Sequence, residues 1–146
     1  VGSQRSGKIE QSFALGTATG AEFVGGLLGS LFDGQVLNCY ARATVTAAKA
    51  GGLVGSVQGA TGSSPVVENS YAASTLSGTD VRGLFGEVVG EAGSVTVTNS
   101  YYLNTAADTF GTVLPASAFR NQASFVGWDF SAVWRLTSSY PSLSFE

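Results

Sequence analysis

Two short boxes alternate along this chain, and their spacing constrains the fold more than any other feature. The first reads Gly26-Leu27-Leu28-Gly29, Gly52-Leu53-Val54-Gly55 and Gly83-Leu84-Phe85-Gly86, and the opening Val1-Gly2-Ser3 matches Val54-Gly55-Ser56. The second reads Ile9-Glu10-Gln11-Ser12-Phe13-Ala14, Val36-Leu37-Asn38-Cys39-Tyr40-Ala41, Val67-Glu68-Asn69-Ser70-Tyr71-Ala72 and Val97-Thr98-Asn99-Ser100-Tyr101-Tyr102. From each amide to the next box-ending glycine the step is 18, 17 and 17 residues, so that arc is rigid. From each glycine to the next amide it is 9, 9, 14 and 13, so that arc accepts insertions, at Gly59 to Pro65 and Gly90 to Ser94.

A period of 26 to 31 residues built from short, β-branched, glycine-punctuated segments is that of a β-solenoid coil. Helical repeats of this length need ten-residue amphipathic runs with few glycines, and none is present. The pattern therefore predicts an all-β chain, a parallel β-solenoid (β-helix), right-handed by the usual crossover rule. Each coil is expected to hold three strands: one through the Gly-Leu-x-Gly box, one from the Val or Ile of the second box, and one of the Thr44-Val45-Thr46 or Thr75-Leu76-Ser77 type.

Within that frame the columns take roles. Gly26, Gly29, Gly52, Gly55, Gly83 and Gly86 are expected at corners, where the backbone needs angles open to residues without a Cβ and stacked coils approach closely. Gln11, Asn38, Asn69 and Asn99 are expected at one corner, their amides bonding one another and the turn backbone. Next to them, small residues (Ser12, Cys39, Ser70, Ser100) alternate with rings (Phe13, Tyr40, Tyr71, Tyr101). If the small column faces inward, Cys39 is a buried filler and the rings form a stacked ladder about 4.8 Å apart. If the phase is reversed, the rings occupy the core. The Thr-x-Thr segments at Thr17, Thr44 and Thr96 fall at different points of the repeat, which predicts no single hydroxyl column of the kind ice-binding solenoids carry.

Composition narrows the chemistry. The net charge of −3 is thinly spread with no basic run, which argues against nucleic acid. No apolar stretch approaches the ~20 residues that span a bilayer, so direct membrane insertion is not expected. One cysteine and no histidine remove disulfides, thiolate metal clusters and the usual general base, and no cofactor is expected. With no methionine and an opening that falls mid-repeat, the chain reads as part of a longer polypeptide.

Gly51-Gly52-Leu53-Val54-Gly55 followed by Val67-Glu68-Asn69-Ser70-Tyr71-Ala72 resembles the GLUG repeat, over residues 1 to about 104. That repeat occurs in large bacterial surface proteins such as filamentous-haemagglutinin-like adhesins and in non-catalytic regions of some immunoglobulin A-cleaving metallopeptidases. The resemblance implies a scaffold with no shared catalytic residues, secreted or at the bacterial cell surface. Two positions depart from the pattern: Arg82 stands where a glycine precedes the box, and Tyr102 where alanine is expected.

Residues 105–146 concentrate aromatics, including Phe119, Phe125, Trp128, Trp134 and Tyr140, and are expected to fold over the last coil as a cap in the same structural domain as 1–104. A short helix is expected from Pro115 towards Ser124, a strand over 132–136, and Asp129 buried and paired with Arg135 or Arg120. Asp33, Asp80 and Asp108 read as turn residues bonding local backbone.

These features together predict a non-enzymatic stalk or adhesive module. The candidate ligand-binding residues are the ring column Tyr40, Tyr71 and Tyr101 and the loop residues Thr61, Ser63, Ser64 and Glu91, which lie on neighbouring coils and would face a host glycan or surface protein. The rival expectation is a carbohydrate-active β-helix enzyme, or the non-catalytic part of a surface protease.

Overall fold

The computed structural model describes residues 1–91 and 94–146. The repeats stack as parallel coils, and the columns read from the sequence are in register: Leu28 pairs with Val54 and Val54 with Phe85, while Ile9, Val36, Val67 and Val97 align in turn. Each complete coil passes through four sheets, where three strands were expected. The glycine sheet contains Ser3–Gln4, Leu28–Leu31, Val54–Gly59 and Phe85–Gly90, and the valine sheet Lys8–Glu10, Gln35–Leu37, Val66–Glu68 and Thr96–Thr98. The tyrosine sheet runs through Phe13–Thr19, Tyr40–Thr46, Tyr71–Ala72 with Thr75–Ser77, Tyr101–Leu103 and Thr112–Leu114. A fourth sheet, unforeseen, contains Phe23–Gly25, Lys49–Gly51 and Asp80–Arg82. The ring segment and the Thr-x-Thr segment, expected as separate strands, form one continuous strand in the first two coils.

Inward columns make the core: Leu27, Leu53 and Leu84; Leu28, Val54 and Phe85; Val36 and Val67; Ala41 and Ala72. Cys39, Ser70 and Ser100 also face inward, which settles the phase. The serines earn their place by bonding between coils, since Ser70 Oγ accepts from Cys39 N at 3.0 Å and Ser100 Oγ from Ser70 N at 3.3 Å. Burial pushes the Cys39 thiol up to about 11, so it stays protonated and inert.

The amide corner works differently from expectation. Gln11, Asn38, Asn69 and Asn99 take φ of 44°, 53°, 48° and 47°, the left-handed region, where asparagine is the most tolerant residue after glycine. Among the described residues their side-chain amides do not bond one another; the coils are joined here by backbone, Gln11 N to Leu37 O, Asn38 N to Glu68 O and Asn69 N to Thr98 O. The box glycines, in contrast, have no positive φ. Their cause is close approach alone: a Cβ on Gly55 would lie 2.6 Å from the Gly29 carbonyl oxygen, and one on Gly86 2.6 Å from that of Gly55.

Residues 104–114 terminate the stack. In the interior, the Leu53 carbonyl accepts from both Leu27 N and Leu28 N, and the Leu84 carbonyl from Leu53 N and Val54 N. No further coil serves Leu84 and Phe85, and Asp108 Oδ2 takes that place, accepting from their backbone N–H groups at 2.7 and 2.9 Å. Gly83 N bonds Ala107 O, and Thr112–Leu114 pairs in parallel with Tyr101–Leu103, so this segment is an abbreviated fifth coil that adds no strand to the other three sheets. Both departures from the repeat belong to this end. Tyr102, in the alanine column, lies against Gly83 and donates to Asp108 O at 3.1 Å, and Arg82 pairs with Asp80 where no following coil crowds it.

Candidate functional site

The ring column forms as expected. Phe13 and Tyr40 stack at 5.2 Å between centroids and 8° between planes, Tyr40 and Tyr71 at 5.0 Å and 6°, and Tyr71 pairs in register with Tyr101. It is not, however, a free face. Tyr40 and Tyr71 are 0% exposed and Tyr101 5%, because the aromatic tail lies over them. This corrects both the reading of the column as an exposed recognition surface and the path of the tail. Only residues 104–114 fold over the last coil; the remainder runs back along the flank as a strap.

Each tyrosine of the column is tied to the strap through its hydroxyl. Val126 N donates to Tyr101 Oη at 3.0 Å, Tyr71 Oη donates to Pro141 O at 2.6 Å, and Tyr40 Oη donates to Glu146 Oε2 at 2.6 Å. The two tryptophans stack on each other at 4.2 Å and reach the amide corner, Trp128 Nε1 to Asn99 O and, more weakly, Trp134 Nε1 to Asn38 Oδ1 at 3.4 Å. A buried aromatic that also donates a hydrogen bond fixes both position and orientation. Burial and the Glu146 contact push the Tyr40 phenol up to about 12, and burial raises Tyr71 further. Arg42 lies 5.0 Å over the Tyr40 ring and 6.0 Å over that of Tyr140. The expected helix is two 3-10 turns, Ala118–Arg120 and Gln122–Ser124, and the expected strand is Trp134–Arg135, paired antiparallel with Ser142–Leu143.

Asp129 is exposed, against expectation. Its Oδ1 accepts from Ser131 N, Ser131 Oγ and Ala132 N, bonds that hold its carboxyl below the usual carboxylate range; it caps a turn. Arg135 bonds Ser142 instead.

The loop residues do come together. Thr61 Oγ1 donates to Glu91 Oε1 at 3.2 Å across neighbouring coils, and Glu91 N bonds Gly59 O. Ser63 Oγ reaches the Phe32 carbonyl at 2.6 Å and Ser64 N the Asp33 carboxylate at 3.3 Å, so the 60–65 loop is pinned to the coil before it. Thr61, Ser64 and Glu91 are exposed; Ala92 and Gly93 of the second loop lie outside the described residues.

A shallow, open cavity of about 290 Å³ is lined by Asp80, Val81, Arg82, Ala107, Asp108 and Thr109. Its two carboxylates are occupied: Asp80 by Arg82, and Asp108 by three backbone N–H groups, those of Leu84, Phe85 and Phe110. Among the described residues no group of three His, Cys, Asp or Glu side chains could hold a metal ion.

The family comparison falls on one coil, from the fourth-sheet strand Phe23–Gly25 through the glycine box and amide corner to Thr46. Residues 20–46 match the GLUG motif. By register, the coil that carries this match is followed by structurally equivalent coils from Lys49 to Ser77 and, in shortened form, from Asp80 to Leu103. No curated protein and no solved structure matches the chain.

Sequence reasoning missed Asp108. Its local bond to Phe110 N at 3.0 Å is the turn contact that was expected, but its main partners are 23 and 24 residues upstream.

Proposed function

We propose that this GLUG repeat module serves as a rigid, non-enzymatic segment of a larger secreted or surface-anchored bacterial protein, holding a stalk or presenting the loops around Thr61 and Glu91 to a host glycan or surface protein. The observation that carries the reading is the paired loops. They are the insertions in an otherwise regular stack, they meet through Thr61 and Glu91, and they stand on strands fixed by the core. Recognition on regular scaffolds is carried by such loops.

The non-enzymatic part of the reading is supported by the chemistry of the one cavity described above. Glycosidase-type catalysis needs two free carboxylates roughly 5–10 Å apart, whereas Asp80 and Asp108 are engaged by a guanidinium and by backbone.

The test is a glycan array together with capture of host surface proteins by the whole chain, run beside a Thr61→Ala/Glu91→Ala double variant of unchanged melting temperature. Binding that the double variant loses supports the loops as the contact; binding that it keeps removes them. Polysaccharide turnover by the chain would overturn the non-enzymatic reading.

A further inference from the structure

The three Thr-x-Thr-type segments of the tyrosine sheet are in register, contrary to expectation. Thr17 pairs with Thr44 and Thr44 with Thr75; Thr19 pairs with Thr46 and Thr46 with Ser77. Only Thr96–Thr98 lies elsewhere, in the valine sheet. Val45 and Leu76, with Ala18 in register beside them, lie between the two columns, and Val45 and Leu76 belong to a buried cluster, so the six hydroxyl-bearing side chains project from the opposite face, and all six are exposed.

The array has three further properties. Its spacing is regular in two dimensions, about 4.8 Å between coils and about 6.7 Å between alternate residues of a strand. It carries no charge: the adjoining outward column is Leu15, Arg42 and Ala73, and Arg42 is held over the Tyr40 and Tyr140 rings beneath the strap. Its hydroxyls are free, since among the described residues none of the six bonds a protein group, while Ser12, Ser70, Ser74 and Ser100 are all committed to backbone. Five of the six side chains are threonines, whose β-branching holds χ1 in few rotamers and sets a methyl beside each hydroxyl.

We infer that this face binds the surface of ice. A crystal face of ice is a flat, two-dimensional lattice of water with repeats of a few ångströms, the same order as these spacings. Each contact with water is weak and readily exchanged. Adsorption requires many contacts at once, from groups already standing at the lattice spacing, with methyls between them and no charge to draw water into a different geometry. A polysaccharide surface is less well served, because sugar faces stack on aromatic rings and Tyr40, Tyr71 and Tyr101 of this sheet are buried under the strap, which leaves Phe13 alone exposed in the ring column. The inference stands apart from the loop-binding reading, since the loops are on a different arc of the coil.

Ice-affinity partitioning and thermal hysteresis of the whole chain test it. The wild type is expected to concentrate in slowly growing ice and to open a gap between melting and freezing points. Thr44→Lys, at the centre of the array, is expected to abolish both with unchanged circular dichroism and melting, and Thr46→Lys serves as the second variant should the first misfold. Thr96→Lys, exposed on the valine sheet, is expected to behave as wild type. Exclusion of the wild type from ice, or equal incorporation of wild type and Thr44→Lys, overturns the inference. So does retention on crystalline cellulose that Thr44→Lys loses in the absence of any ice activity, which would reassign the array to a polysaccharide.

Discussion

Replacing Asp108 tests the terminating device most directly. In Asp108→Ala the backbone N–H groups of Leu84 and Phe85, residues 0% and 1% exposed, lose an acceptor at 2.7 and 2.9 Å, and Phe110 N loses one at 3.0 Å. A hydrogen bond to a charged group contributes about 1.5–3 kcal/mol, and an orphaned buried donor costs about 1–3 kcal/mol. At the end of the stack water can reach part of the gap, so the three losses do not add in full, and the expected destabilisation is about 2–4 kcal/mol. Asp108→Asn keeps an acceptor oxygen but no charge, with an expected cost of about 1 kcal/mol.

Urea denaturation supplies the totals, and amide hydrogen exchange locates them. The amides of Leu84 and Phe85 should lose protection in Asp108→Ala ahead of those of Leu53 and Val54, whose acceptor is the Leu84 carbonyl. A loss of stability spread evenly over all coils, or an Asp108→Ala variant within 0.5 kcal/mol of wild type, would refute the carbonyl-substitute argument.

Trp134→Ala should cost about 3–5 kcal/mol, because it empties the side chain that bridges Tyr40 and Tyr71; thermal melting reads the loss, and near-UV dichroism should report Tyr40 and Tyr71 gaining freedom. Alkaline titration should unfold the strap. The folded Tyr40 phenol is raised from 10.0 to about 12, so the stability it confers is complete below pH 10 and is lost as the pH climbs towards 12, with phenolate absorbance appearing together with unfolding. At the amide corner, Asn69→Gly should be nearly neutral for melting, while Asn69→Val should cost about 1–2 kcal/mol, since φ of 48° suits glycine and strains a β-branched residue; equal melting of the two would remove the left-handed corner as the reason for asparagine.

Much of the coil was legible in the sequence because repetition reports register. Val36 and Val67 recur at a fixed offset from Asn38 and Asn69, and strands that begin at equivalent residues must pair. The number of strands was less legible. The fourth sheet consists of Phe-Val-Gly, Lys-Ala-Gly and Asp-Val-Arg, which share one small or branched apolar residue and little else, because its outward side chains are solvated and free to vary. The hydroxyl array was present in the spacing and was missed. Counted from the amide corner, Thr17, Thr44 and Thr75 each lie six residues on, and Thr19, Thr46 and Ser77 eight; Thr96 precedes its amide, and grouping it with the others hid the column.

What repetition cannot report is anything that occurs once. Asp108 stands in for a carbonyl of a coil that does not follow, and a substitute that resembles its equivalents in chemistry but not in residue type has no column to align with. The strap follows the same logic. Its composition announced a cover, but stacked coils offer an apolar end and an apolar ring column, and composition does not choose between them. The choice rests on polar groups: three tyrosine hydroxyls buried on the flank need partners, and Val126 N, the Pro141 carbonyl and the Glu146 carboxylate supply them, whereas the end of the stack was already served by Asp108, Tyr102 and Phe110. The tail goes where the unsatisfied groups are. Removing all three hydroxyls together, in Tyr40→Phe/Tyr71→Phe/Tyr101→Phe, should therefore loosen the strap by about 2–4 kcal/mol while leaving the coils intact, and protease cleavage of the tail at a rate unchanged from wild type would show that apolar burial alone guides it.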